Sequence, residues 1–470
     1  MNQLLWKVHE APNRLKLIKI DRTRIVWQSA GMANNNNNVE RRHYVFLCFL
    51  TILNVMNFVD RQLLASFANF IVPDLELTNT EFGLLTGLLF ISFYAVMGLF
   101  MGALADMVHR PRLVAFGVAL WSLLTAASGA AKGFMSLAIP RMFIGVGESV
   151  LTPTAMSMLG DRFPESKLGF ASGFYYMGVP IGVGVSLLIA GYLGPAIGWR
   201  NCFYALGAIG ILMAIAMLFV RETPRKHAEA RAEGEPRPGF FAIARTLFRV
   251  LKFSPALTLT MAGGVATHFI LGAATFDQLW YVQERGFDRA HIAQMTGWIG
   301  VAGGVLGNLF GGIGSDWWQH HRKSGRPMFL VIALLFLVPI GFFYRIVDPN
   351  SWFFWFAIFC AYFQLGSFYG PTFSTVQELT PPQIRSTVVA FYLLALNLIG
   401  LALGITFSGI MIDYLMAQEV AEPYTKTLLV FTVLSATAIP LFYFAAKRFH
   451  EDRDRLYQAM AEGQFRLSAN

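Results

Sequence analysis

Long apolar runs separated by short polar segments dominate this sequence. A helix that crosses the hydrocarbon of a bilayer needs about 20 mainly apolar residues. Runs of that kind fall near 44–70, 80–105, 112–131, 135–160, 168–194, 199–220, 255–281, 291–315, 327–345, 351–376, 385–413 and 427–446. The pattern predicts an all-α membrane protein with twelve transmembrane helices. The longest polar stretch, Arg221 to Lys252, divides the runs six from six. Its mixture of Glu and Arg reads as a flexible or surface-lying linker. The organisation expected is an N-terminal segment (1–40), a six-helix bundle (41–221), a linker (222–252), a second six-helix bundle (253–447) and a tail (448–470).

Charge orients the runs. Alternate loops collect Arg41, Arg42, Arg110, Arg112, Lys167, Arg221, Arg225, Lys226, Arg322, Lys323, Arg326, Arg385, Lys447 and Arg448. The other loops are poor in Lys and Arg, and the first of them, Val72 to Thr80, has none. The positive-inside rule then puts both termini in the cytoplasm of a cell bounded by this plasma (inner) membrane. Residues 1–30, with Trp6, Leu15, Ile18 and Ile20 among basic residues, suit the cytoplasmic leaflet. They lack the apolar core of a signal peptide. An equal reading makes Met32 the true start. Asn34 to Asn38 form a run that cannot build a core, and the tail from Lys447 reads as a solvated amphipathic helix.

Composition narrows the function. The chain of 470 residues is 55% hydrophobic and 14% charged, where a soluble domain carries about 25% charged residues. The mean hydropathy is +0.50 and the formal net charge is +9. Topogenic Lys and Arg account for that excess, so no nucleic-acid partner is implied. Three cysteines (Cys48, Cys202, Cys360) sit in apolar runs and read as buried small hydrophobes. No metal-ligand spacing, catalytic triad or phosphate-binding loop appears. Neither a metal, a cofactor nor an enzymatic activity is expected.

The two halves echo each other. TPTAMSMLGDRFPESK from Thr152 aligns with GPTFSTVQELTPPQIR from Gly370, matching Pro153 to Pro371 and Lys167 to Arg385. Gly102 and Asp106 pair with Gly312 and Asp316. Two homologous halves around a central site are how alternating-access transporters are built.

Charged residues inside the apolar runs are the candidate machinery, because each costs about 2.5–3.5 kcal/mol or more at mid-membrane and needs a partner. The first run carries N-F-V-D-R, with Asn57, Asp60 and Arg61. The fourth carries Arg141-x-x-x-Gly145-x-Gly147-Glu148. At 1.5 Å per residue, Asp60 and Arg141 reach similar depth in the outer half, a plausible ion pair. Glu148 falls near the midplane, free to gain or lose a proton. Asp60 and Glu148 are thus the proton-coupling candidates, and Arg61 and Arg141 the candidates for an anionic headgroup, with Asn57, Tyr176 and His268 beside them. The alternative is a static cluster that fixes helix packing. His268, Asp277, Asn308, Gln364 and Asn397 are further polar residues within the runs, and a lone histidine there is more often a packing residue.

After the second run comes GALADMVHRPR, which puts Asp106, Arg110 and Arg112 at a helix end, with Asp316 and Arg326 at the matching place in the second half. Such groups can pair with a neighbouring helix end and close an inner gate. Gly169-x8-Gly178-x3-Gly182 in the fifth run reads as close helix packing with a possible bend. The aromatics Phe174, Tyr175, Tyr176, Phe368, Tyr369, Phe391 and Tyr392 occupy matching halves of the repeat, mostly as core.

GALADMVHRPR resembles the cytoplasmic loop signature of the major facilitator superfamily, with Met107 and His109 departing from the usual Arg and Gly. The Arg141 segment matches that superfamily's intramembrane arginine motif. The fifth-run glycines resemble its antiporter signature, with Val183 in place of the expected Pro. Across residues 41–450, NFVDRQLLA, RMFIGVGESVLTPTAMSMLGDRFP and GFYYMGVPIGVGVS look like the spinster-like members. The resemblance implies a major facilitator fold of two pseudo-symmetric bundles. It implies functional roles for Asp60, Arg61, Arg141 and Glu148, and a lysophospholipid or phosphorylated sphingoid base as substrate, with proton coupling. The N-x-x-D-R pattern is shared with carriers of hexuronates and similar organic acids, which are the alternative. Short linkers suggest a bacterial member. A monomer surrounded by membrane lipids is expected.

Overall fold

A computed structural model of the chain describes residues 41–223, 240–322 and 324–462, a few of them, Asp106 included, without the side chain. The expectations for residues 1–40, most of the linker and the last eight residues lie outside the described residues.

The described residues form helices and turns, with no strand among them. Eleven helical runs are long and apolar enough to cross a membrane. They are α1 (Arg41–Ser66), α2 (Asn79–Gly102, helical on to Met107), α3 (Arg110–Gly129), α4 (Phe134–Arg162) and α5 (Lys167–Leu218). After a short helix α6 (Phe240–Phe253) follow α7 (Pro255–Gln283), α8 (Arg289–His321), α9 (Gly325–Phe343), α10 (Trp352–Glu378), α11 (Thr387–Ala417) and α12 (Pro423–Ala461). The pattern of apolar runs predicts one more crossing than this, and α5 holds the difference. It has 52 residues, about 78 Å of helix against about 30 Å of hydrocarbon. Gly198, at φ 79° and ψ 154°, breaks it between the runs predicted at 168–194 and 199–220. Only glycine takes that conformation without strain.

Local chemistry sets several of the starts. Thr78 and Glu81 form a reciprocal capping box at the head of α2. His109 caps α3 ahead of Pro111, and Ser254 caps α7 ahead of Pro255. Within the first half, α1 lies against α5 at Gly178 and Gly182. A Cβ on Gly182 would sit 2.6 Å from both Val55 O and Phe58 Cβ, so Gly178 and Gly182 do serve close packing, whereas a Cβ on Gly169 would meet nothing within 4 Å.

One end of the molecule carries the basic loops. At the opposite, far end the two halves meet. There Asn69 donates to Gln278 O at 2.6 Å, Gln294 to Gly191 O at 2.9 Å, and Arg289 covers the Phe70 ring at 4.3 Å. Phe82 and Phe276 meet edge to face at 5.4 Å. α5 and α8 touch through glycines in the same region: a Cβ on Gly184 would overlap Val301 and stand 2.9 Å from Gly297 O.

The tail departs from its expected form. After a turn at Thr437, α12 stays helical from Ala438 to Ala461, and its last turns bury Asp452, Leu456 and Ala459 instead of standing in solvent. Asp452 accepts from Ser254 Oγ at 3.1 Å and Ala256 N at 2.7 Å, which caps α7. In α6, Leu247 and Val250 are buried while Arg245, Arg249 and Lys252 face outward. Cys202 and Cys360 are buried as expected, but Cys48 is exposed on the outside of α1.

Candidate functional site

α1 and α4 bring four charged side chains together inside the first half. Asp60, Arg141 and Glu148 are 3%, 5% and 1% exposed. Glu148 accepts a hydrogen bond from Arg61 Nε at 3.2 Å. Arg141 lies within electrostatic reach of both, and Asp60 within reach of Glu148 and Arg141.

The pairing differs from the one predicted. Arg141 donates from Nη2 to the backbone oxygen of Arg61 at 2.7 Å and from Nη1 to that of Asp60 at 3.5 Å. It therefore reaches the α1 main chain, using the second lone pair that a helical carbonyl retains. The Asp60 carboxylate instead accepts from the Thr125 hydroxyl of α3 at 2.8 Å. Residue counting measures depth along a helix axis. It does not give the rotation that decides which side chain faces which, so Arg61 took the Glu148 carboxylate.

Aromatic faces complete the surroundings of the arginines. The Arg61 guanidinium lies 4.1 Å from the Tyr94 ring, 5.0 Å from Phe58 and 5.3 Å from Phe90. Arg141 sits 4.3 Å from Phe90. Such contacts stabilise a desolvated cation by about 2 kcal/mol. They leave its N–H groups free for an anion. Several buried polar atoms of the cluster have no hydrogen-bond partner in the protein: Asp60 Oδ2, Glu148 Oε1, Arg61 Nη2, Arg141 Nε and Asn57 Nδ2. Asn57 is buried beside Glu148. Buried polar groups are normally satisfied, and an under-satisfied group is a place where a proton, water or ligand is accommodated.

The second half offers a different wall. His268 is 3% exposed, with Nδ1 at 2.9 Å from Gly264 O and Nε2 at 3.3 Å from the Tyr369 hydroxyl. A carbonyl can only accept, so Nδ1 carries the proton and Nε2 accepts from tyrosine. Both nitrogens are thereby engaged within the protein. Tyr369 is the more accessible of the two and lies within electrostatic reach of Arg61 across the halves. Tyr176 is half exposed, close to Tyr94 and stacked edge-on with Tyr175 at 5.4 Å.

At the basic end the candidate gating residues divide. Arg110, buried at the head of α3, donates to Asp161 at 2.6 Å, to Glu222 at 2.9 Å, to Ser157 Oγ at 3.0 Å and to Thr223 O at 2.6 Å. Arg326 binds Glu378 at 2.7 Å and Asp316 at 3.0 Å, and Glu378 also takes Arg453 at 3.4 Å. Each network ties helices of its own half. Arg112 turns its side chain outward, and its amide donates to His109 Nδ1 at 3.4 Å. Asp106 ends the α2 helix, and its side chain lies outside the described residues.

A long apolar helical chain with an internal repeat, bundles closed on each other at one end and a buried charge cluster between α1 and α4 narrows the choice of family, and residues 50–405 match the pattern of the Major Facilitator Superfamily. The chain belongs to that superfamily. Its family and fold are those of transporters and not of enzymes. Among solved structures, a bacterial homologue of the human lysosomal transporter Spinster, inward-facing and unoccupied, shares the fold. The TM-score is 0.76 at 24% identity, covering 88% of this chain and 99% of that one. An MFS-type efflux pump of Mycolicibacterium smegmatis is 26% identical over 88% of this chain and 94% of its own length. A probable sphingolipid transporter, spinster homolog 2 of Arabidopsis thaliana, is 23% identical over 86% of this chain and 88% of its own. A hexuronate transporter of Bacillus subtilis is 31% identical over 62% of this chain and 68% of its own.

Within this major facilitator protein, sequence reasoning passed over Thr125, Tyr94, Asp161, Glu222 and Glu378. Thr125 gave no signal, since a threonine among alanines and leucines bonds its own helix backbone more often than a distant carboxylate. Asp161 and Glu378 are different. They stand in the aligned repeat segments, three and four residues before the echoing Pro164 and Pro382 respectively, and their acidity opposite Arg110 and Arg326 was a usable sign.

Proposed function

We propose that this major facilitator protein is a proton-coupled secondary transporter that works by alternating access and moves an amphipathic anion or zwitterion, a lysophospholipid or a phosphorylated sphingoid base. The observation that carries the reading is Arg61: a desolvated guanidinium held by Glu148 and three aromatic rings, with Nη2 left without a partner. An anionic headgroup suits that nitrogen. The Phe and Tyr faces around it suit an acyl chain. The similarity to a probable sphingolipid transporter over most of both chains points the same way.

Charge balance supplies the coupling. Asp60, Glu148, Arg61 and Arg141 sum to zero when all are ionised. An anion bound at Arg61 adds a negative charge in a medium of low dielectric, where charges interact several-fold more strongly than in water. Protonation of Glu148 restores neutrality and frees Arg61 for the headgroup. Asp60, bound through one oxygen only, is the second proton carrier. Arg141 and Asn57 complete the headgroup site, Tyr176 and Tyr369 flank it, and His268 orients Tyr369. The bundles of residues 41–221 and 253–447 rock about this site. With the termini and basic loops in the cytoplasm of the plasma (inner) membrane, closure at the far end makes this the inward-facing state of a monomer.

A second reading, proton-coupled transport of small sugar acids, is favoured by the hexuronate carrier, the more identical relative over a shorter stretch. Two arginines near one site suit a small dianion equally. Uptake into proteoliposomes separates the two. Labelled lysolipid and labelled hexuronate are offered with and without an imposed pH gradient. Lysolipid uptake driven by the gradient supports the first reading. Hexuronate uptake alone replaces it with the second, and failure of both under every gradient defeats the transport mechanism proposed.

A further inference from the structure

The two halves are joined at the far end by more than apolar packing. The first turn of α2 offers three backbone N–H groups that no helical carbonyl can satisfy. Thr78 takes one of them, Glu81 N, at 3.1 Å. The other two go to a carboxylate in the opposite half. Asp413, near the end of α11, accepts from Asn79 N at 3.1 Å and from Thr80 N at 2.7 Å. Its Oδ1 also accepts from Asn79 Nδ2 at 2.9 Å. Both carboxylate oxygens are thus spent on one helix end, where the helix dipole favours a negative charge.

The surroundings make the contact specific. Asn79 is 7% exposed, and its Oδ1 accepts from the Tyr424 hydroxyl of α12 at 2.7 Å. Tyr424 is itself held, because Glu284 accepts from the amides of Tyr424 and Thr425 at 2.8 Å each. The backbones approach closely beside this point. A Cβ on Gly409, one helical turn before Asp413, would overlap Asn79 O. A carboxylate of one half therefore caps a helix of the other, braced by a tyrosine that is anchored in its own half.

We propose that Asp413 is the latch of the far gate: its bonds to the head of α2 hold that side shut and set the ratio of the two access states. This rests on the alternating-access reading above and adds the bonds that must break for the far side to open. When α2 and α11 separate, the amides of Asn79 and Thr80 pass to water and the carboxylate is rehydrated. The bonds of Asp413 go to Asn79 and Thr80 and not to the charge cluster, so it acts on the equilibrium and not on binding.

The test uses spin labels at Lys132 and Asn350, exposed positions on far-end loops of the two halves, in the full chain with Cys48, Cys202 and Cys360 replaced by alanine. Distances are measured by pulsed electron resonance in lipid nanodiscs. Asp413→Ala and Asp413→Asn are expected to raise the long-distance, far-side-open population about fivefold or more. Tyr424→Phe, which keeps the carboxylate and removes one bond to Asn79, is expected to move it the same way by less. Should Asp413→Ala not fold, Asp413→Asn and Tyr424→Phe carry the test. Unchanged distance distributions in the variants overturn the latch. Uptake by the unsubstituted protein is read separately. Normal uptake with no widening in Asp413→Asn sinks the latch and leaves the carrier reading standing. Widening without any uptake supports the latch and counts against the proposed substrates.

Discussion

Glu148 of α4 and Arg61 of α1 form an ion pair in which the carboxylate is fully buried and the guanidinium is 20% exposed, at 3.2 Å. The asymmetry has a mechanical meaning. The arginine has a face toward the space between the halves, while the glutamate has none of its own. Any change in the charge of Glu148 is therefore felt first by Arg61, and any ligand of Arg61 acts back on Glu148.

Substitution of Glu148 separates charge from packing. Glu148→Gln keeps the size and an oxygen acceptor for Arg61 Nε but cannot cycle a proton. Gradient-driven uptake is expected to disappear, while the thermal midpoint stays close to that of the unsubstituted protein. Glu148→Ala leaves a buried cation unpaired, a loss of about 3–5 kcal/mol. A melting curve for each variant and uptake at two pH gradients check both statements. Proton-driven flux at the normal rate in the glutamine variant would remove Glu148 from the coupling.

Asp60 and Thr125 give a paired expectation. Thr125 supplies the hydrogen bond seen at the Asp60 carboxylate, at 2.8 Å. Thr125→Val removes it without altering volume much and leaves a buried carboxylate short of a donor. The loss of a hydrogen bond to a charged group is about 1.5–3 kcal/mol. The pH profile of uptake is expected to change in Thr125→Val, because the Asp60 carboxylate has lost its hydrogen-bond donor. Asp60→Asn is expected to flatten that pH dependence and shift the labelling of engineered cysteines between the two sides. If the uptake profile of Thr125→Val overlays that of the unsubstituted protein, Asp60 is a structural residue.

What could be read from the sequence follows the physics of each signal. Spans were legible because the bilayer imposes one length on every crossing, and even α5 was divisible at Gly198. Asp60, Arg61, Arg141 and Glu148 were legible because charge inside an apolar run is conspicuous. Their partners were not. Whether Arg141 meets a carboxylate or the carbonyl of Arg61 depends on helix rotation, which sequence spacing on one helix does not report. The tail shows the same limit: its amphipathic pattern was visible, but Asp452 reaching back to cap α7 is a long-range contact with no local trace.

The two charge networks at the basic end should differ in weight. Arg110 is 1% exposed and serves Asp161 and Glu222, whose side chains are 12% and 29% exposed. Its removal takes a guanidinium from two carboxylates at once, while Glu222 keeps the amides of residues 110 and 223, and Arg110→Ala is expected to cost about 1.5–3 kcal/mol. Arg326 is 16% exposed, Asp316 is 60% exposed, and Glu378 keeps Arg453 when Arg326 is gone. Arg326→Ala is expected to cost about 1 kcal/mol. Thermal melts in one detergent rank them, and equal losses would show that exposure does not decide the energetics here.

The halves also meet at Gly184 of α5, and under the proposed alternating access this contact exists only while the far end is closed. An added methyl at Gly184 collides with Val301 and approaches Gly297 O on α8. Overpacking of this kind costs about 1–3 kcal/mol in a core. In Gly184→Ala the strain falls on one access state only, since separation of α5 from α8 relieves it. The ratio of far-side-open to far-side-closed molecules is then expected to rise by about 5- to 150-fold. Each bundle should melt nearly as before, because neither core is touched. Thiol labelling of a cysteine placed at Gln294, which faces Gly191 across the same seam, reports the opening directly. Protected Gln294→Cys in the Gly184→Ala background, together with a lowered melting point, would mean that the seam is a permanent core and that the halves do not part along α5 and α8.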